Sequence, residues 1–350
     1  MKSLKPTSIF SGLCLVAAAL TFSGCNIMVA GGYSFNYTGQ TAQSLESGVF
    51  SEGVTQIEVV NKFGDVNVML AQGDPGWTWD KEVWADSQQQ ADVFLDDLLM
   101  NVETVGDKQT WTILMPESSS DLNGVKSNLT FSLPADIKVK LENAHGNVNA
   151  ENLTARVDLT NSHGNLKASN LADGSLKVRH GNVDLMSASG ALVINNSHGN
   201  VAVTGTEGSL EVDGSHSSIN IDNAQDVKVS SSHGKISAKN IHGKIDASNS
   251  HDSINISTFG DSVLAKATHG KIDIVVSNSN FKSVDAETTH DSIKLSLPAS
   301  VSPAISMSTS HGDSKSEIGS SDSSPQKVTL KTSHGNIRIN KSNVVAESVQ

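Results

Sequence analysis

The sequence predicts an all-β fold: a parallel β-solenoid (β-helix) of two-strand coils about 18 residues long, with one short N-terminal helix. Three observations predict it. First, all twelve histidines lie at or after position 145. Eleven of them, His145, His163, His180, His198, His216, His233, His251, His269, His290, His311 and His334, follow one another at spacings of 18, 17, 18, 18, 17, 18, 18, 21, 21 and 23. Second, the third and fifth residues after each histidine are almost always aliphatic or alanine, as in Val148 and Ala150, Val201 and Val203, or Ile337 and Ile339. Third, the sixth and fourth residues before it are apolar too, as in Val157 and Leu159, Leu210 and Val212, or Val328 and Leu330. Apolar residues two apart mark a strand with one buried face. Each period therefore holds two strands, and the Gly, Asn, Ser and Asp between them turn the chain.

Near-constant spacing with the same phrase at the same phase favours stacked coils over an antiparallel meander, and a period of two excludes helical repeats. In-phase coils about 4.8 Å apart would set the eleven histidines in a file roughly 48 Å long. The histidine falls where inward parity breaks, so it occupies a corner. Glycine usually follows it, with Ser217, Asp252 and Asp291 as exceptions, which suits a turn that favours a left-handed conformation without requiring it. His242 repeats the "HGKI" phrase at the half-period.

In chain order, residues 1–24 read as a signal peptide: Lys2 and Lys5, an apolar run from Ile9 to Phe22, then "FSGC" ending at Cys25. The stretch resembles a bacterial lipoprotein signal, which implies that Cys25 is lipidated and becomes the mature N-terminus; Phe22 stands where that motif usually has leucine. Cys14 leaves with the signal, so no disulfide is expected. A lipoprotein anchor implies lasting membrane attachment. Asn26 stands where an inner-membrane retention signal would resemble Asp, so the outer membrane is expected, on its periplasmic or surface face. Residues 25–50 show little pattern and read as a tether. Residues 51–140 read as strands with a capping helix: "TQIEVVNKFGDVNVML" forms two strands around Gly64, and "DSQQQADVFLDDLLM" forms the helix, with a Ser87–Gln90 capping box and Ala91, Phe94, Leu95 and Leu98 at helical spacing. That helix is expected to cover the open end of the solenoid. The repeats run over 141–340. Near their end Ser314 and Ser316 replace core aliphatics, which reads as loops followed by a final coil ending near Asn340, then a tail over 341–350.

Residues 52–340 resemble the bacterial putative-adhesin family of repeat β-helix envelope proteins. The resemblance rests on "IEVVNKFGDVNVML", the helix before "NVETVGDKQTWTILMP", the phrase "SNLTFSLPADIKVKLENAHGNV" and the repeats after it. It implies attachment or display, fixes no ligand and supplies no catalytic residues. The histidine before each glycine is a peculiarity of this chain.

Net charge is −12, and removing Lys2 and Lys5 with the signal makes it −14. An acidic chain with no basic cluster repels phosphate backbones, so nucleic-acid partners are set aside. Catalysis on polysaccharide needs paired carboxylates and usually aromatic subsites. From 141 onward the aromatics are Phe259 and Phe281, Asp184 and Asp273 sit on distant coils, and Asp252 and Asp291 are two coils apart. Ser and His in "SHG" are neighbours, which cannot normally aim at each other, and form no triad. The chain is therefore expected not to be an enzyme.

For the histidine file, the structural reading is a polar ring at each corner, stacked on the one below. The metal reading is weak binding of Zn, Cu or Ni by neighbouring imidazoles, with no other cofactor expected; no carboxylate or thiolate accompanies each histidine at a fixed offset. A pH-responsive reading follows from like charges one coil apart when adjacent rings are protonated. "WTWDKEVW" offers Trp77, Trp79 and Trp84 as a sugar platform or as core. The expected role is a lipid-anchored, non-catalytic adhesin-like or scaffold protein whose partners are the membrane and cell-surface polysaccharide or protein.

Overall fold

The structure, a computed structural model, describes residues 27–28 and 34–342. The signal peptide, Cys25 and residues 343–350 of the tail lie outside the described residues. The chain divides into two compact units, one of residues up to 137 together with 143–146, the other of 138–142 and 147 onward. Among the described residues, no helix is long and apolar enough to cross a membrane.

In the first unit, period-two alternation produces strands Gln56–Phe63 and Val66–Leu70 on either side of Gly64. Gln56–Phe63 runs parallel to Lys108–Leu114, and Val66–Leu70 runs parallel to Leu122–Leu133. Their inward positions, Ile57, Val59, Val66, Val68, Trp111 and Phe131, are almost wholly buried. Part of the expected tether is strand: Gln40–Gly48 pairs antiparallel with Gly76–Ala85, which in turn pairs with Leu122–Leu133. Only Ala42 of that strand is buried, so it carries no hydrophobic alternation to betray it.

The helix spans Gln88–Asp97, with Ser87 as its N-cap accepting from the Gln90 amide. It packs within the first unit, Ala91 against Ala42 and Ala85 with Phe94 and Leu95 alongside. Three alanines at the contact let the backbones approach closely. Lys81 donates to the Leu98 carbonyl at 3.2 Å, placing a cation at the helix C-terminus where the dipole favours one.

The second unit is a stack of two-strand coils. Strands Val157–His163, Gly174–His180, Leu192–His198 and Leu210–His216, and their successors, form one parallel sheet; strands Val148–Glu151, Leu166–Leu171, Val183–Ala188 and Val201–Thr206, and their successors, form the other. Like residues pair with like: Leu159 opposite Leu176, Ile194 opposite Val212, Val203 opposite Ile221. The expected aliphatic positions fill a narrow core between the sheets, Leu159, Leu176, Leu185, Ile194 and Val201 having 0 % exposure. Each of these side chains leaves water for about 2 kcal/mol.

The far end departs from sequence order. The expectation of loops at Ser314 and Ser316 and a final coil at 327–340 is corrected: Ser314–Ser316 is a strand, and Ala304–His311 with Ser314–Ser316 forms the outermost coil. Strands Lys327–His334 and Ile337–Ser342 slot between that coil and the coil of Ser283–Thr288 and Ile293–Pro298. The reason is burial. Val328, Leu330, Ile337 and Ile339 need neighbours on both sides and are at most 1 % exposed, whereas the terminal coil opposes Ile337 and Ile339 with Ser314 and Ser316.

Candidate functional site

The corner column is built from three adjacent positions. Two residues before the histidine, the side chain points inward and is small or polar: Asn161, Asn196, Ser231, Asn249, Thr288 and Thr332 are all buried. These side chains reach the corner of a neighbouring coil. Asn196 Nδ2 donates to the Gly181 carbonyl at 2.9 Å, Asn249 Nδ2 to Gly234 at 2.7 Å, and Thr288 Oγ1 to Gly270 at 3.0 Å. A buried carbonyl left unpaired would be costly, which is why a polar residue interrupts the aliphatic pattern here.

The histidine follows two positions on, as the last residue of its strand at His163, His180, His198, His216, His311 and His334 and just past the strand at His233, His251, His269 and His290; His163 is half-buried and the later rings of the column are exposed. The rings stack face to face in the order His163, His180, His198, His216, His233, His251, His269, His290, His334, His311. Centroid separations run from 4.3 Å at His233–His251 to 5.5 Å at His251–His269, with interplanar angles of 11° or less. The final inversion of order reports the same coil insertion as the backbone. His145 belongs to the first unit, where its ring stacks on Phe63 at 5.2 Å and 9°. His242 lies on the other turn, stacked on Phe259 at 5.8 Å with Nε2 3.2 Å from Asn223 Oδ1.

The glycine after the histidine is needed where coils touch. Gly199 has φ of 133°, and a Cβ there would lie 2.2 Å from the Gly181 carbonyl oxygen. Where Asp replaces glycine the carboxylate folds back on the turn: Asp252 and Asp291 each accept from the next amide at 2.6 Å. Outside the corner, an asparagine two residues past the histidine links coils in series. The Asn165 amide donates to Asn147 Oδ1, Asn182 to Asn165, and Asn200 to Asn182, at 3.0, 2.9 and 2.8 Å.

This geometry bears on metal chemistry. Two nitrogens bound to one zinc at about 2.1 Å each can stand no more than about 4.2 Å apart. Neighbouring ring centroids in the stack are 4.3 Å or more apart, with the ring planes within 11° of parallel. Among the described residues, no group of three or more His, Cys, Asp or Glu side chains is placed to hold a metal ion.

The tryptophans divide. Trp79 is 1 % exposed and donates to Ser127 Oγ at 2.7 Å, with Lys81 4.6 Å above its ring. Trp77 meets Trp111 edge-on at 5.2 Å and Trp84 meets Tyr37 at 5.0 Å, both half-buried. Alternating aromatics here fill a core. Burial raises the Tyr37 hydroxyl above its ordinary pKa.

Sequence reasoning missed the buried column beside the histidines, because Asn and Thr next to Ser, His and Gly read as turn formers. It also missed a second column of left-handed residues on the opposite turn: Asn152, Asn170, Ser187, Gly205, Asn223 and Asn240, with φ between 51° and 73°. Asparagine tolerates that conformation, and Asn170 Nδ2 donates to Asn152 Oδ1 at 2.8 Å.

Two parallel sheets of in-register coils, closed by these corner columns, define a repeat protein of the β-solenoid class. The Toastrack DUF4097 family model matches residues 82–340, and the chain belongs to that family. Solved structures give distant likenesses. A putative cell adhesion protein from Clostridium sporogenes is 11% identical over 86% of this chain and 100% of its own, with a TM-score of 0.21. Putative adhesins from Bacteroides fragilis and Parabacteroides merdae are 16% and 12% identical, each over 85% of this chain and over 97% and 96% of their own, both with TM-scores of 0.28. At such scores the likeness carries no weight, and the fold rests on the strand registers above. No match was found among curated proteins.

Proposed function

We propose that this chain is a non-catalytic protein of the bacterial cell envelope, attached to the membrane, the outer one, through lipid on Cys25, and that its coils form an adhesin-like or scaffold surface. One observation supports this reading above the others. In-register pairing repeats the same outward residue types coil after coil, as with the Asn147, Asn165, Asn182 series, which gives an extended hydroxyl- and amide-rich surface instead of a single convergent site. Such a lattice suits a repetitive partner, a cell-surface polysaccharide or protein. The test is fractionation with a labelled fatty acid, beside binding of the purified chain to arrayed glycans and envelope proteins. The label should reside in the membrane fraction and vanish with Cys25→Ser. A soluble, unlabelled native chain would refute the anchor, and no saturable binding to any glycan or protein would refute the adhesin.

A second reading, weak binding of Zn, Cu or Ni or a response to acid by the histidine column, is favoured by the exposure and stacking of the rings. Single-ring ligation predicts weak heats in calorimetry, lost when alternate histidines become asparagine. The acid reading is tested by urea unfolding at about pH 7 and about pH 5: stability should fall in acid, and an unchanged midpoint would refute it. Tight uptake would reverse the order of the two readings.

A further inference from the structure

The inserted coil leaves Ala304–His311 as the last strand of its sheet, paired on one side with Lys327–His334 and free on the other. We propose that this edge joins two copies of the chain by antiparallel pairing about a two-fold axis through Met307.

Backbone parity supports it. In a ladder, alternate residues aim their amide and carbonyl at the neighbouring strand and the others aim away. Ala304 donates to the Gln326 carbonyl at 2.9 Å, towards Lys327–His334. Ile305 donates the other way, to Ser320 Oγ at 3.1 Å. Met307 and Thr309 share the parity of Ile305, so their amides and carbonyls face the free edge. The turn around Ser320 serves the first of these positions only; among the described residues, the amides of Met307 and Thr309 have no partner.

The turn around Ser320 covers the start of this edge, at Ile305, and two other usual protections are missing. Ala304–His311 contains no charged residue and no proline, although exposed edges are normally blunted by one or the other. Lys315, on the companion strand Ser314–Ser316, is the nearest charge of this coil's strands.

Self-complementarity selects a second copy as the occupant. A two-fold axis at Met307 sets Met307 against its counterpart, Ile305 against Thr309 and Ser306 against Ser308. Residues directly opposite in an antiparallel pair share a face. The half-buried Ile305, Met307 and Thr309 therefore meet one another on one face, and the exposed Ser306 and Ser308 meet on the other. Positions 305, 307 and 309 are also those with outward amides and carbonyls, so every hydrogen-bonded pair is complete, with Ser320 released from Ile305. No like charges meet across the pair.

The test uses the full chain in detergent, by sedimentation and native mass. A dimer is expected by about 100 µM, the range for a small interface. Met307→Pro removes an amide that faces outward and leaves the bonds to Lys327–His334 intact, because proline is tolerated on edge strands. It should weaken the dimer by about tenfold or more, with far-UV circular dichroism unchanged. Met307→Cys should cross-link the dimer on oxidation, since hydrogen-bonded antiparallel pairs sit about 5.5 Å apart, within disulfide reach. A native chain that stays monomeric overturns the proposal, as does a dimer that is equally tight in Met307→Pro or one that Met307→Cys does not cross-link.

Discussion

Replacing Asn249 by alanine should destabilise the middle of the solenoid by about 3 kcal/mol. Asn249 is 4 % exposed and makes three hydrogen bonds: Nδ2 donates to Gly234 at 2.7 Å, and Oδ1 accepts from the amides of His251 and Asp252 at 3.1 and 3.2 Å. At about 1 kcal/mol net for each bond, the sum is about 3 kcal/mol. The protein supplies its own rescue. At equivalent corner positions Thr288, Thr332 and Thr309 donate to the carbonyls of Gly270, Asp291 and Gly335 at 3.0, 2.9 and 3.0 Å. Asn249→Thr should therefore keep the bond to Gly234 and recover about 1 kcal/mol. Coils interact only with their neighbours, so the loss is local and a single melting point understates it. The assay is native-state hydrogen exchange, read at the amides of residues 245–254 against those of 174–185. If Asn249→Thr protects no better than Asn249→Ala, or if Asn249→Ala leaves exchange unchanged, the corner column does not hold the coils together.

Other expectations follow from the same structure. Gly199→Ala, with a contact of 2.2 Å to backbone and φ of 133°, should cost several kcal/mol, whereas Gly53→Ala, at φ of 77° with nothing within 4 Å, should cost about 1; urea unfolding compares them. Leu330→Ala should cost about 2–5 kcal/mol and release the terminal coil to exchange while residues near Leu185 stay protected. A hydrogen bond from Lys282, 2.5 Å away, holds the Asp261 carboxyl below its usual value. Its contribution is present above the unfolded carboxylate's value, near pH 4, and is lost as pH falls through the lower folded value. Asp261→Asn should flatten that part of the urea midpoint's pH profile.

The coils were legible because parallel in-register stacking makes each residue meet its own kind, so the fold writes a period into the chain. Val183 and Leu185 point inward for the same reason as Val201 and Val203. Coil order at the end was not legible from spacing, since a strand inserted out of turn keeps the same phase. A signal was nevertheless present: Ser314 and Ser316 occupy inward positions where serine is tolerable only on a coil with no neighbour beyond it. Strand Gln40–Gly48 stayed hidden because one residue of nine is buried. The histidines drew notice by their regular spacing, while the residues that bind the corners, Asn161, Asn196 and Asn249, looked like ordinary turn chemistry.

The inverted ending sets a schedule for biosynthesis. Residues 304–316 leave the ribosome before the coil they come to overlie, so they have no native seat until 327–342 arrive. A chain cut short after about residue 320 would lose the greasy layer and leave its cover stranded, with Val284 and Ile293 facing solvent or a foreign strand. Completion of this end therefore waits on residues 327–342.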